Sequence, residues 1–280
     1  MNNCLGAIGG SGERLVIRMK FKDSVWKKNG KKEHKTSFWK DSAELLLDFF
    51  YPPRCPLCDE ILKKGEKYCC KECGQKLPWV GAEYCLKCGK PVSDDTQEYC
   101  PDCLKCNHYF DQGTAPFIYK GDLRHSIFRM KHENRRDYID FYAWVMAASC
   151  KRYLNVWRPD LILAVPMQKK RKRKRGYNQS ELLGKKISQY LDIPFEKDVL
   201  QCTRQTEEQK TLGRKERMKN LRGSFSVKKE LNGIQNVLIA DDVYTTGSTM
   251  DEISRVLKQA GVKHVFFVVL CTGKGKNLYP

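Results

Sequence analysis

Apolar positions along the chain gather into a few short runs separated by long polar stretches. Leu161 to Val165, Asn236 to Ala240 and His264 to Cys271 are near-continuous apolar runs of strand length, bounded by Pro, Gly or acidic residues. That pattern predicts strands buried on both faces of a parallel sheet. Between the last two, Met250 to Ala260 sets Ile253, Val256 and Leu257 at helical spacing, with Gly261 where a helix C-terminus favours glycine. Ser180 to Leu191 reads as a further helix. Strand, helix and strand in this order make a βαβ unit whose turn lies at the strand's carboxyl end, where such sheets place ligands. Near the other end, Ser42 to Tyr51 predicts a short amphipathic helix that Pro52-Pro53 would stop. With only about two turns it packs on the protein rather than on a membrane.

Composition bounds this picture. The chain has 280 residues, of which 41% are hydrophobic, enough for a true core and against wholesale disorder. No apolar run approaches the roughly 18 residues of a membrane span. No basic-then-apolar leader is seen, so a cytoplasmic location is expected. The net charge of +19 is unevenly spread. Residues 1–54 are net +5, residues 55–106 net −1, and residues 107–280, with 33 basic and 18 acidic side chains, net +15. Phosphorylated partners are expected for the C-terminal part. Residues 1–40 mix Gly-rich and Lys-rich stretches and read as a disordered extension, with helix and linker over 41–54.

Fourteen cysteines change the reading of residues 55–106. Cys55-x-x-Cys58 and Cys70-x-x-Cys73 are followed thirty residues later by Cys85-x-x-Cys88 and Cys100-x-x-Cys103. This is a tandem repeat of one small unit. Two thiolates three residues apart on a tight turn reach one ion, and two such turns make the tetrahedral Cys4 shell of a closed structural Zn²⁺ site. A double zinc ribbon with two Zn²⁺ is expected, paired locally within each repeat or crossed between repeats. Cys69 is an alternative to Cys70, and Cys106 is a bystander. Disulfides and an iron–sulfur cluster are the competing readings. A closed Cys4 shell leaves no position for water, so no catalysis is assigned to it.

Chemistry concentrates after the strand Asn236–Ala240. Asp241 and Asp242 end it, and Val243-Tyr-Thr-Thr-Gly-Ser-Thr249 leads into the helix. Hydroxyls of Thr245, Thr246, Ser248 and Thr249 around Gly247, with free N–H groups at a helix N-terminus, make a cup for a monophosphate. Two carboxylates cannot serve that phosphate. They suit sugar hydroxyls or a metal. Phosphate at one end and a diol at the other describe a ribose 5-phosphate. A P-loop would need Gly-Lys-Ser/Thr, which is missing.

Upstream, the strand Leu161–Val165 ends at Pro166 and is followed by seven consecutive basic residues, Lys169 to Arg175. They read as a basic loop facing pyrophosphate or a phosphodiester backbone, or as a solvated face. Thr203 to Gly223, polar and basic, reads as a mobile arm or a surface hairpin.

Asp-Asp-Val-Tyr-Thr-Thr-Gly-Ser-Thr resembles the motif by which type I phosphoribosyltransferases bind 5-phosphoribosyl 1-pyrophosphate (PRPP). Together with the cysteine ribbons, Lys131-His132, Ala164-Val-Pro166, Arg175-Gly-Tyr-Asn-Gln-Ser180 and Gln209-x-x-Leu-x-x-x-x-Arg-x-x-Asn-Leu-x-Gly-x-Phe225, it resembles the ComF family over residues 43–272. The resemblance implies a Rossmann-like α/β phosphoribosyltransferase domain over 107–280, preceded by the double ribbon over 55–106. It implies that Asp241 and Asp242 hold the ribose, and that Thr245, Thr246, Gly247, Ser248 and Thr249 hold the 5-phosphate. Val165, Pro166 and Met167 would form the pyrophosphate-side loop, helped by Lys169 or Arg175, with Mg²⁺ accompanying PRPP. It also implies a part in natural competence, beside the DNA-uptake machinery. The alternative is a nucleic-acid-binding accessory protein that meets single-stranded DNA and keeps a vestigial or PRPP-sensing site. No aromatic platform for single strands is evident in the sequence.

Overall fold

The apolar runs alternate between two cores. Val237, Ile239, Val265, Phe267 and Val269 point into one cluster, and Leu238, Ala240, Phe266, Val268 and Leu270 into another. Successive side chains of a strand face opposite ways, so a sheet covered on both faces needs apolar residues at every position. The computed structural model describes residues 50, 52–94, 96–203 and 221–273. Its sheet is all parallel: β1 (Gln112–Thr114), β2 (Phe117–Ile118), β3 (Leu161–Ala164), β6 (Asn236–Tyr244) and β7 (His264–Thr272). The order is β1-β7-β6-β3, with β2 also on β7. β4 (Leu200–Cys202) and β5 (Phe225–Val227) form a separate antiparallel pair.

One face carries α3 (Gly121–His132), α4 (Tyr138–Cys150) and α7 (Gln179–Leu191). The other carries α8 (Ser248–Gln259), through Met250, Ile253, Val256 and Leu257. Burial of apolar side chains between helices and sheet supplies the main driving force, at about 25 cal/mol per Å² removed from water. Smaller helices are α1 (Lys71–Gln75), α2 (Pro101–Leu104), α5 (Leu154–Trp157) and α6 (Lys169–Arg175). No helix among the described residues is long and apolar enough to cross a membrane.

Three expectations are corrected. β6 does not stop at Ala240 but continues through Asp241 and Asp242 to Tyr244, because β7 pairs with it that far (Tyr244↔Thr272). The ladder follows backbone partners, whatever the side chains. α8 begins at Ser248, two residues earlier than its apolar spacing indicates. The seven basic residues form α6, a helix and not a loop. Lys and Arg are good helix formers. Gly176, at φ +83°, donates its N–H to Lys172 O and ends α6 in the left-handed region that glycine occupies without strain.

The thirty-residue repeat is also a structural repeat. Cys55 N–H bonds Glu60 O, and Cys85 N–H bonds Lys90 O. The bridge Arg54–Ile61 recurs as Tyr84–Pro91. Their surroundings differ: Cys55, Leu57, Cys69 and Leu77 join the α3/α4/α7 core, and Cys85, Cys88, Val92 and Cys100 join the α8 core. The extension over 1–40, the helix expected over 42–51 (Phe50 apart) and residues 204–220 of the basic arm lie outside the described residues.

Candidate functional site

The eight CxxC cysteines form two groups, Cys55/Cys58/Cys70/Cys73 and Cys85/Cys88/Cys100/Cys103, with all ligand atoms of a group within 4.8 Å of one another. Each group lies within one repeat, so the pairing is local and not crossed. Cys58 and Cys70 sulfurs are 3.8 Å apart, and Cys88 and Cys100 sulfurs 3.7 Å. Zn–S bonds of about 2.3 Å in a tetrahedron put sulfurs about 3.8 Å apart, so the donor sets fit two structural Zn²⁺. All described cysteines are free thiols, which leaves the disulfide reading without support. Cys69 stands outside its group, and burial pushes its thiol pKa up.

β3 and β6 are adjacent and parallel, with Ala164 opposite Ala240, so the segments following both strands emerge side by side. After β6 the chain turns at Thr245–Gly247 into α8. Gly247 has φ +84°, and a Cβ there would lie 2.6 Å from Tyr244 Oη, so backbone and space both demand glycine. Thr246 Oγ1 and Ser248 Oγ lie 3.0 Å apart. Thr245 is exposed and Thr249 half-buried at the start of the helix, where unsatisfied N–H groups and the helix dipole favour an anion.

The two carboxylates sit beside this turn. Asp242 Oδ2 accepts a hydrogen bond from Gln179 Nε2 at 2.8 Å and pairs with Lys131 Nζ at 2.5 Å. Asp241 Oδ1 accepts from Ser180 Oγ at 2.7 Å. Loss of water around Asp241, and then the neighbouring Asp242 charge, push its pKa up to about 7. Gln179 also accepts from Arg175 Nη1 at 2.5 Å. A polar relay therefore runs Arg175–Gln179–Asp242–Lys131, drawing on α6, α7, β6 and α3.

Val165, Pro166 and Met167 line the neighbouring segment, half-buried. Asn178 fixes it: its Nδ2 donates to Val165 O at 3.0 Å, while its Oδ1 caps α7 at Ser180 N–H. Tyr177 anchors the same stretch through its hydroxyl, which donates to Met130 O. Arg175 thus joins the carboxylates, whereas Lys169 lies exposed at the far end of α6. Lys131 and Gln179 are site residues that the sequence alone does not mark as such. The available signal for Gln179 is its place in Arg-Gly-Tyr-Asn-Gln-Ser, a polar run leading into an apolar helix. For Lys131 the signal is the Lys131-His132 pair that carries part of the family resemblance, although nothing local announces its pairing with Asp242, more than a hundred residues away.

Two family profiles match the chain: "Double zinc ribbon domain" over residues 46–104 and "Phosphoribosyl transferase domain" over residues 177–279. The chain is 31% identical over 222 residues to "Competence protein F" of Haemophilus influenzae, covering 77% of this chain and 95% of that one. It is 28% identical to "DNA utilization protein YhgH" of Escherichia coli, covering 79% and 97%. It is 24% identical to "Competence protein ComFC" of Bacillus subtilis, covering 74% and 89%. With a double zinc ribbon followed by a parallel-sheet phosphoribosyltransferase domain, and with this likeness along nearly the whole of Competence protein F, the chain belongs to the ComF family of competence proteins.

Proposed function

We propose that the protein binds PRPP with Mg²⁺ at the carboxyl ends of β3 and β6 and acts as a phosphoribosyltransferase in competence, in the handling of DNA. One observation carries this reading: the hydroxyl-lined turn at the start of α8 lies next to two carboxylates, with Arg175 and Lys131 reaching the same spot. Thr245, Thr246, Gly247, Ser248 and Thr249 take the 5-phosphate, and Asp241 and Asp242 take the ribose hydroxyls. Val165, Pro166 and Met167 with Arg175 face the pyrophosphate. Pyrophosphate leaves C1 as the acceptor approaches, and the protein contributes positioning and charge neutralisation rather than acid–base chemistry. Mg²⁺, when bound with PRPP, supplies further neutralisation of the phosphates. Residues 55–106 serve as the ribbon and residues 107–280 as the transferase-like domain. Use of eight cysteines as metal ligands rather than in disulfides supports a reducing compartment, the cytoplasm.

A second reading keeps PRPP as a sensed ligand and makes single-stranded DNA the main partner. It is favoured by α6, whose Lys169, Lys170, Arg171, Arg173 and Lys174 are exposed. The names of the relatives, which speak of competence and DNA utilization, support both readings. Calorimetric titration of the zinc-loaded protein with Mg²⁺–PRPP, then with single-stranded DNA, separates them. A folded protein that gives no heat with PRPP would rule out the transferase reading.

A further inference from the structure

The two cysteine groups are copies in sequence, yet only the second adjoins the phosphate turn. Asp102, between the ligands Cys100 and Cys103, pairs with Lys90 Nζ at 2.8 Å. Lys90 follows the ligand Cys88 by two residues and is only 5% exposed. Its Nζ lies 5.3 Å from the ring centroid of Tyr244, the last residue of β6. Tyr244 stacks on Phe267 at 4.9 Å and meets the edge of Phe110. Its hydroxyl fills the space beneath Gly247. Beyond the turn, Asp251 in the first turn of α8 accepts from Tyr109 N–H at 3.1 Å and lies 2.8 Å from His108 Nδ1. His108 and Tyr109 follow soon after Cys103.

The knuckle itself is fastened to the sheet. Gln112 Nε2 bonds Leu86 O at 2.8 Å, and Gly113 N–H bonds Lys87 O at 2.9 Å. Gly89, at φ +73°, approaches β1 so closely that a Cβ would lie 3.0 Å from Gly113 O. The first group is anchored elsewhere. Arg129 Nη2 bonds Leu57 O at 2.6 Å, Tyr138 bonds Asp59 at 2.6 Å, and Tyr68 stacks on Trp144, all on α3 and α4.

We infer that the second Cys4 site is a positioning element of the phosphate turn, acting through Lys90 and Tyr244, and that the first site is not. A ribbon too small to make its own core takes its shape from the metal. The Lys90–Asp102 pair bridges the second site's two knuckles and presses a cation against the ring that underlies Gly247. Loss of that metal releases the floor of the turn. The consequence for PRPP rests on the function proposed above, whereas the mobility of the turn does not.

The test is hydrogen–deuterium exchange on the full zinc-loaded chain, read at residues 245–251. Cys100→Ser is expected to speed exchange there about tenfold or more while β3 and β7 stay protected, and Cys70→Ser to leave it unchanged. Lys90→Met keeps all eight ligands and decides the matter where Cys100→Ser unfolds. It should speed exchange several-fold, and Lys90→Arg should restore protection, which a general loss of packing would not allow. Equal exchange in wild type and Lys90→Met, or a turn loosened as much by Cys70→Ser as by Cys100→Ser, overturns the inference. A parallel PRPP titration should show Lys90→Met weakened about tenfold. Wild-type protein that binds no PRPP sinks the transferase reading alone, and the exchange data still decide this one.

Discussion

Lys131 reaches from the last turn of α3 to place its ammonium 2.5 Å from Asp242 Oδ2 on β6, both side chains largely removed from water. Such a pair is mutually dependent, since removing one partner strands the other charge. Lys131→Met should cost about 3 kcal/mol of stability, and adding Asp242→Asn should recover much of it. Urea unfolding of the two single variants and the double variant measures this coupling. Asp242→Asn alone should stay folded and lose roughly tenfold to a hundredfold in PRPP affinity, because a hydrogen bond to a charged acceptor is removed. Additive stability effects would mean that the two groups do not act as a pair.

Asp241 introduces a pH dependence of its own. Its folded pKa of about 7 stands above the ordinary value of 3.8, so near neutrality the folded state holds a proton there that the unfolded chain has given up. Stability from this group is therefore fully present below about pH 4 and falls away as pH rises through 7. Asp59 and Glu252 act in the opposite sense. Burial would raise both, but hydrogen bonds and cationic partners outweigh it and hold their pKa values down, from Tyr138 and Arg135 in one case and Arg255 in the other. One substitution isolates Asp241: in Asp241→Asn, unfolding midpoints at pH 8 should gain relative to pH 5 when set against wild type. An unchanged difference between the two pH values would count against a neutral Asp241.

Much of the fold was legible in period and punctuation. Leu161–Val165 and His264–Cys271 read as buried strands from their strand length, apolar content and flanking punctuation, and the thirty-residue cysteine interval declared the repeat. The extension of β6 through Asp241 and Asp242 was not legible, because polar side chains at a strand's end look like a turn until β7 is known to pair there. Seven cations in a row after a strand read as a basic loop because they carry no apolar period to mark a helix, and the left-handed Gly176 that ends α6 shows only in the backbone geometry. The relay through Gln179 joins residues from four elements. No local pattern encodes such a meeting.

The metal centres differ in exposure. Cys58 is exposed and Cys70 and Cys73 are half-buried, whereas Cys85, Cys88 and Cys100 are buried. Elemental analysis should find two Zn²⁺ per chain. A competing chelator should remove them in two phases, the faster from the first group, where its donor atoms gain easier access. Cys70→Ser should abolish the fast phase and retain the slow one. A single phase releasing both ions would contradict the asymmetry.

The helix α6 offers the sharpest division between the two proposed partners. Lys172 and Arg175 face inward, Lys172 to Glu181 at 2.9 Å and Arg175 to Gln179, while Lys170, Arg173 and Lys174 face water. Lys170 and Lys174 stand four residues apart on one side and repel each other. A polyanion lying along that side relieves the repulsion and releases its own counterions. Changing Lys170, Arg173 and Lys174 to Gln should therefore lower the log–log salt slope of single-stranded DNA binding by about 0.7 for each phosphate no longer neutralised. PRPP affinity should stay the same, because neither the inward cations nor the turn at Gly247 is touched. Arg175→Gln should do the reverse, weakening PRPP binding while leaving the DNA slope as it was. If the triple change weakened PRPP and spared DNA, the outward face would belong to the transferase site and the separation between the two sides of α6 would fail.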